Sequence, residues 1–138
     1  MALHKAADEI ARASNVDIKF DTRGTAHPLG EDEEIAAYRI GREAVMNAVK
    51  HADAHEVRIR LSYGQESTTL VVSDDGHGFS VNEANATEHA HYGLAGMQER
   101  ALGIGATLDI HSDAQRGTRV CLRIPTADTP LSVSPPAV

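Results

Sequence analysis

The chain has 138 residues, a hydrophobic fraction of 41% and a formal net charge of −7. This length suits one domain with one core, and the acidic balance argues against a nucleic-acid backbone as the main partner, because such a partner requires a basic face. Cys121 is the only cysteine, which excludes an intrachain disulfide and fits a reducing compartment. We expect neither a membrane-spanning stretch nor a signal peptide.

The first half of the chain predicts a helix, a strand and a long second helix. Apolar residues recur at helical spacing from Ala2 to Ala13. The segment NVDIKFDTRG then alternates apolar and polar residues, which predicts a half-buried strand that ends in a turn at Gly24. The longest helix is predicted from about Asp32 to His51, because acidic residues crowd its first turn and basic ones end it, as the helix dipole favours.

The second half predicts four strands, a loop and a third helix. EVRIRLSYG and STTLVVSDD alternate as two strands around a hairpin turn at Gly64-Gln65-Glu66. Residues His77 to His91 show no periodicity, which predicts a functional loop of about 15 residues. GLAGMQERALGIG is predicted to be a helix bounded by glycines. ATLDIHS and TRVCLRIP predict two final strands around a turn from Ala114 to Gly117.

This order of elements predicts an α+β fold. We expect a two-layer α/β sandwich, with three helices on one face of a largely antiparallel, mixed sheet of about five strands. One domain is predicted over residues 1–125. The tail at 126–138, TADTPLSVSPPAV, is rich in Pro, Ser and Thr, a composition typical of disorder.

Three polar residues of the long helix share one stripe beside its apolar arc, because Glu43, Asn47 and Lys50 are spaced i, i+4 and i+7. An amide oxygen can ligate Mg²⁺, an ammonium group can pair with a phosphate, and a carboxylate can orient or deprotonate a nucleophile. The stripe therefore indicates a metal–phosphate site. A solvated surface stripe with weak side-chain pairs is the alternative.

The segment VVSDDGHGFS ends a predicted strand on two carboxylates, followed by glycines. A buried Asp74 could accept a hydrogen bond from the amino group of adenine, and it would repel the carbonyl oxygen that guanine has at that place. Gly76 and Gly78 would let the backbone come close to a ligand. An ordinary tight turn is the alternative, since Asp and Gly are usual turn residues.

Two further segments fit a nucleotide site less specifically. In HYGLAGMQERA, Gly93 and Gly96 flank a helix start, where free N–H groups and the helix dipole attract phosphate. The loop before this helix could close over a ligand as a lid. In RGTRV, Gly117 and Thr118 could approach a base, but a simple hairpin turn explains them equally well.

Taken in order, four segments resemble the catalytic ATP-binding domain of sensor histidine kinases: YRIGREAVMNAVKHA, VVSDDGHGF, YGLAGMQERALGIGATLDI and RGTRVCLRIP. More narrowly, they resemble the subfamily that works with LuxR/NarL-type response regulators. The similarity spans about Val16 to Pro125. It implies the Bergerat (GHKL) fold shared with gyrase, the Hsp90 chaperone and MutL, ATP and Mg²⁺ as cofactors, and a cytoplasmic location, with or without a membrane anchor elsewhere.

The resemblance also implies roles for individual residues. The catalytic set on the long helix would be Glu43, Asn47, Lys50 and His51, with Asn47 also as the Mg²⁺ ligand. Asp74 would be the carboxylate that reads adenine. The nucleotide-binding set as a whole would be Asn47, Asp74, Gly76, Gly78, Phe79, Tyr92, Gly93, Leu94, Gly96, Met97 and Thr118.

The chain departs from the family pattern in the last two of these segments and at one position of VVSDDGHGF. Asp75 stands where many relatives have Asn, and Arg116 stands where a glycine is frequent. ALGIGATL replaces the commoner double glycine. These departures leave the residues of the long helix and Asp74 in place.

The family's phosphoacceptor histidine lies on a dimerising helix pair. His4 is the only histidine of the first predicted helix and lacks the acidic and arginine neighbours of the acceptor motif, so we interpret it as a surface histidine. The histidine-bearing dimerisation domain and the LuxR/NarL-type response regulator would then be partners outside this chain. The isolated domain would be a monomer and the complete kinase a homodimer.

Three other interpretations stay open. Stand-alone serine kinases of the anti-sigma-factor type are similar in size and also lack an acceptor domain. A degenerate nucleotide-binding or dimer-interaction module would have the same fold without catalysis. Finally, His77, His89 and His91 could bind zinc, but no Cys or carboxylate stands at supporting spacing.

Overall fold

A computed structural model describes residues 2–77, 93–113 and 115–126. Within these ranges the chain forms three helices and five strands, in the predicted order and within about two residues of the predicted bounds. They are α1 (Ala2–Ala13), β1 (Asp17–Arg23), α2 (Glu31–Lys50), β2 (Glu56–Tyr63), β3 (Ser67–Asp74), α3 (Leu94–Gly103), β4 (Thr107–Asp113) and β5 (Gly117–Pro125). Most of the predicted loop after His77 and the tail after Thr126 lie outside the described residues.

The five strands form one mixed sheet in the order β1-β2-β3-β5-β4. The two predicted hairpins are confirmed, since β2 pairs with β3 and β4 pairs with β5 in antiparallel fashion. β1 runs parallel to β2, and α2 provides the long crossover that a parallel pair requires. β5 lies between β3 and β4, which brings the end of β3 beside the start of β5.

All three helices contribute to one core against the same face of the sheet, so the predicted two-layer sandwich is confirmed. β2 shows the underlying period of two, because Val57, Ile59 and Leu61 are buried while the residues between them are not. α1 belongs to this core through Leu3, which is fully buried. A Cβ atom on Gly41 of α2 would lie 2.5 Å from Leu3 Cδ2, so the missing side chain is what lets α1 pack closely on α2.

The start of α2 is stabilised by its acidic first turn. The Glu33 carboxylate accepts a hydrogen bond from the backbone N–H of Gly30 at 2.9 Å, which satisfies a donor at the helix N-terminus. The same negative charges interact favourably with the helix dipole. Among the described residues, no helix combines the length and the apolar character needed to cross a membrane.

Candidate functional site

A cleft lies between α2, α3 and the helix-facing side of β3, β5 and β4. The space between its walls is about 420 Å³ when the open solvent at its mouth is included. Its walls come from both halves of the chain, so it exists only in the folded protein. The lining residues are Ala44, Asn47, His51, Ala52, Val72, Asp74, His77, Leu94, Met97, Ile110, Thr118 and Val120.

The floor of the cleft is apolar. Val72, Val120 and Ile110 form one row across three neighbouring strands, because Val120 pairs with Val72 on one side and with Ile110 on the other. Leu94 and Met97 of α3 add two buried side chains. A flat aromatic ring placed here would remove apolar surface from water on both sides, which favours binding of a heterocyclic base.

The Asp74 side chain lies at the edge of this apolar floor, two residues after Val72 on the same face of β3. The Asp74 carboxylate accepts hydrogen bonds from the backbone N–H groups of Gly76, at 2.9 Å, and of Thr118. Burial raises the pKa of Asp74, and the charge of Asp75 adds to this rise, while the two hydrogen bonds and nearby His77 oppose it. Asp74 is therefore a half-buried, oriented acceptor that faces the cleft.

Asp75 has a different function from its neighbour. Its Oδ1 accepts hydrogen bonds from the backbone N–H groups of His55, at 2.8 Å, and Glu56, at 2.9 Å, where β2 begins. Both hydrogen bonds lower the pKa of Asp75, and the bond from Glu56 has the larger effect. Adjacent strand residues point to opposite sides of a sheet, so one carboxylate reaches the cleft and the other fixes the start of β2.

Two glycines beside Asp74 are required by the packing of the protein itself. A Cβ atom on Gly117, whose φ is 91°, would lie 2.2 Å from the carbonyl oxygen of Asp74. A Cβ atom on Gly76 would lie 2.3 Å from the carbonyl oxygen of Ala52. The next residue, His77, donates its backbone N–H to that same oxygen at 2.9 Å. The backbone around Asp74 is thus close-packed on both sides.

Of the predicted polar residues on α2, some line the cleft and others lie outside it. Asn47 and His51, one helical turn apart, both line the cleft. Glu43 lies outside the lining and packs against the start of α3, where a Cβ atom on Gly93 would be 3.0 Å from its Cδ. Lys50 is exposed at the end of α2. The structure therefore brings the amide and one imidazole of this set into the cleft.

The remaining predicted residues fall into three groups. Leu94, Met97 and Thr118 line the cleft; Gly93, with a φ of 68°, and Gly96 lie on α3 or at its start without lining it. Gly78, Phe79 and Tyr92 lie outside the described residues.

The zinc candidates His89 and His91 lie outside the described residues as well. Within the described ranges, no group of three or more His, Cys, Asp or Glu residues could hold a metal ion.

Sequence reasoning did not assign six of the lining residues to a nucleotide site: Ala44, Ala52, Val72, His77, Ile110 and Val120. Of these, His77 was considered only as a zinc ligand. The alternation of β3 could have identified Val72, because Leu70, Val72 and Asp74 are alternate residues and therefore face the same side of the sheet. The contribution of β4 depends on the insertion of β5 between β3 and β4, which no local pattern specifies.

Comparison with known proteins identifies the family of the chain. The profile of the family described as "Histidine kinase-, DNA gyrase B-, and HSP90-like ATPase" matches residues 32–128. The signal transduction histidine-protein kinase/phosphatase DegS of Bacillus subtilis (strain 168) is 33% identical over 97 residues, covering 70% of this chain and 25% of DegS. Sensor histidine kinase LiaS of the same organism is 31% identical over 118 residues, covering 86% of this chain and 31% of LiaS. The chain thus spans about a quarter to a third of these relatives.

Solved structures show the same fold. The histidine kinase domain of the blue-light activated histidine kinase from Erythrobacter litoralis EL346 has a TM-score of 0.69 at 22% identity, covering 88% of this chain and 62% of the other. The ATP-binding domain of PrrB from Mycobacterium tuberculosis has a TM-score of 0.67 at 24% identity, covering 91% and 92%. The predicted resemblance and the predicted ATP-binding fold are confirmed: the chain belongs to the family of histidine kinase-, DNA gyrase B- and HSP90-like ATPases.

Proposed function

We propose that this chain is the ATP-binding catalytic domain of a sensor histidine kinase, with residues 1–125 as its folded unit. The observation that carries the proposal is Asp74, a half-buried carboxylate held by two backbone N–H groups at the edge of an apolar cleft. Such an acceptor suits the exocyclic amine of adenine and disfavours the carbonyl of guanine. The base would lie on the row formed by Val72, Val120 and Ile110.

The phosphates would extend towards α2. Asn47 lines the cleft, and its amide oxygen is a hard, neutral donor of the kind that Mg²⁺ accepts, so the residues present fit this ion. Bound Mg²⁺ would neutralise phosphate charge. Lys50 would add positive charge near the phosphates, and His51 would place its imidazole beside them. Glu43, at the junction of α2 and α3, would orient the reacting groups. Gly76, Gly93, Leu94, Gly96, Met97 and Thr118 would shape the pocket around the nucleotide.

The reaction would move one phosphoryl group twice. A histidine nitrogen on a dimerisation domain outside this chain would attack the γ-phosphorus of ATP, so that a P–N bond forms, the bond to the β-phosphate oxygen breaks, and ADP leaves. A response-regulator aspartate of the LuxR/NarL type would then take the group onto a carboxylate oxygen. Phosphoryl transfer requires mainly positioning and charge neutralisation, which this cleft would supply. We place the reaction in the cytoplasm, in a homodimeric kinase.

The relatives favour a histidine over a serine as acceptor. DegS and LiaS carry histidine kinase in their names. A degenerate module without ligand is disfavoured by the coincidence of Asn47, Asp74 and Thr118 in one cleft. The serine-kinase and non-catalytic alternatives become outcomes of the test.

The test combines binding with transfer. Calorimetry with Mg²⁺ and a non-hydrolysable ATP analogue should show one site, and the GTP analogue should bind more weakly. The chain is then incubated with radiolabelled ATP and the dimerisation segment of a sensor kinase, with an anti-anti-sigma protein as the competing acceptor. We expect an acid-labile, alkali-stable phosphohistidine on the former. Acid-stable phosphoserine on the latter would support the rival kinase, and absence of any nucleotide binding would contradict both.

A further inference from the structure

Ser112 and Thr118 form a hydroxyl pair behind Asp74. The two residues are directly opposite each other on β4 and β5, and their side-chain oxygens are 2.7 Å apart. Thr118 lines the cleft and donates its backbone N–H to the Asp74 carboxylate. Ser112 does not line the cleft; it lies in an adjoining open groove that also includes Asp74 and Thr118.

We propose that Ser112 is a positioning residue for base recognition, an inference that rests on the proposed binding of adenine at Asp74. A hydroxyl group can rotate and can act as donor or acceptor. Either oxygen of the pair could be the donor; in the proposed arrangement, Thr118 donates its hydroxyl proton to Ser112, which keeps that proton away from Asp74. Cross-strand hydroxyl pairs of this type also hold the two strands in register, so the backbone N–H of Thr118 stays aligned with Asp74.

Loss of the Ser112 hydroxyl would change how the Asp74 carboxylate is available to the base. The Thr118 hydroxyl would then be able to turn towards Asp74 and donate to its carboxylate, because a carboxylate has several acceptor positions. That donor would compete with the adenine amine for the same oxygens. It would also reduce the repulsion that the carboxylate exerts on a guanine carbonyl, so selectivity between the two bases should fall along with affinity for ATP.

The experiment compares Ser112→Ala with Ser112→Thr and Ser73→Ala. Ser112→Thr restores a hydroxyl beside an open groove that has room for the extra methyl group. Ser73→Ala is the matched control, since Ser73 borders the same groove on the residue before Asp74, but points to the opposite face of the sheet. Calorimetry gives dissociation constants for the non-hydrolysable ATP and GTP analogues with Mg²⁺, and thermal unfolding gives stability.

For Ser112→Ala we expect ATP affinity to fall about three- to tenfold and the preference for ATP over GTP to fall with it. Ser112→Thr should restore both, and Ser73→Ala should change neither. A lower melting temperature with an unchanged ATP-to-GTP ratio would show that Ser112 has only a structural role and would overturn the inference. Failure of the unmodified chain to bind adenine nucleotides would instead overturn the proposed function, and this inference with it.

Discussion

Asp74 and Asp75 are adjacent carboxylates whose environments shift their pKa values in opposite directions. This makes them a matched pair for testing base recognition. In Asp74→Asn the remaining Oδ1 would keep the hydrogen bond from the backbone N–H of Gly76. The amide NH₂ group would then take the place of the other oxygen, where it cannot accept a hydrogen bond from the adenine amine. We expect ATP-analogue affinity to fall by at least about tenfold while the domain stays folded. Calorimetry measures the affinity, and circular dichroism shows whether the variant is folded.

Asp75→Asn is the control, because its Oδ1 can still accept the two backbone hydrogen bonds at the start of β2. Its affinity for the ATP analogue should stay close to that of the unmodified chain. Equal losses of affinity in both variants would contradict the assignment of the base-reading role to Asp74 alone. An unchanged affinity in Asp74→Asn would remove Asp74 from the site.

The same pair predicts opposite pH dependences of stability without nucleotide. The folded-state pKa of Asp74 lies above its unfolded value, about 3.9, so its contribution to the free energy of unfolding is lost as pH rises through the raised pKa. Asp74→Asn removes this loss, and the stability of the variant relative to the unmodified chain should therefore increase with pH across that window. Urea unfolding at several pH values measures the difference.

For Asp75 the sign is reversed. Its folded-state pKa is lowered, so the stability it contributes is present above the unfolded value and is lost as pH falls through the lowered pKa. Asp75→Asn should accordingly become less stable relative to the unmodified chain as pH rises from the lowered pKa to the unfolded value of about 3.9, a window below that of Asp74. Parallel trends in the two variants would contradict the separate environments that the structure gives these carboxylates.

Sequence reasoning at this scale found Asp74, Gly76 and Thr118, but not the hydrogen bonds of Asp75 or the pairing of Ser112 with Thr118. The parity of Leu70, Val72 and Asp74 along β3 is a local signal, so the direction of Asp74 could be predicted. The partners of Asp75 are 19 and 20 positions away, and Ser112 meets Thr118 through a tight turn whose register depends on geometry. Contacts of this kind follow from the assembled sheet and not from a motif.

At the scale of elements, the sheet shows which parts of the fold a sequence can specify. Alternation of apolar and polar residues correctly predicted β1, β2 and β3. The strands β4 and β5 and the short turns of the two hairpins were also predicted correctly. The parallel pairing of β1 with β2 and the insertion of β5 between β3 and β4 join distant parts of the chain. Alternation determines only which face of a strand is buried, so neighbours beyond a hairpin remain unspecified.

Gly117, the first residue of β5, packs directly against Asp74 at the edge of the cleft. Gly117→Ala would place a Cβ atom against the Asp74 carbonyl oxygen at a positive φ, so we expect a loss of about 2–4 kcal/mol in the free energy of unfolding. Displacement of Asp74 should also weaken binding of the ATP analogue. Urea unfolding and calorimetry measure the two effects.

Gly103→Ala is the control for a glycine substitution without contact. Nothing lies within 4 Å of a Cβ atom at Gly103, the last residue of α3. Alanine is the better helix former, so stability should rise by about 0.5 kcal/mol, with no change in nucleotide affinity. Similar stabilities of the two variants would show that the approach of Gly117 to Asp74 is looser than described.

At the scale of the whole molecule, the folded unit is larger than the matched family profile. The profile begins at residue 32, yet α1 and β1 precede it and share its core. β1 adds a parallel strand to the sheet, and α1 covers α2 through Leu3 and Gly41. This packing supports the proposed domain limits of 1–125, because removal of α1 would expose an apolar face of α2.

Leu3→Ala tests that claim with a single residue. Leu3 is 0% exposed, and its loss would leave a cavity between α1 and α2, so we expect the free energy of unfolding to fall by about 2–5 kcal/mol. Leu102→Ala on α3 is the matched control, since Leu102 is 80% exposed and should change stability by less than about 0.5 kcal/mol. Urea unfolding of both variants, followed by circular dichroism, gives the comparison. Equal stabilities would mean that α1 is detached from the core and that the ATP-binding unit folds without it.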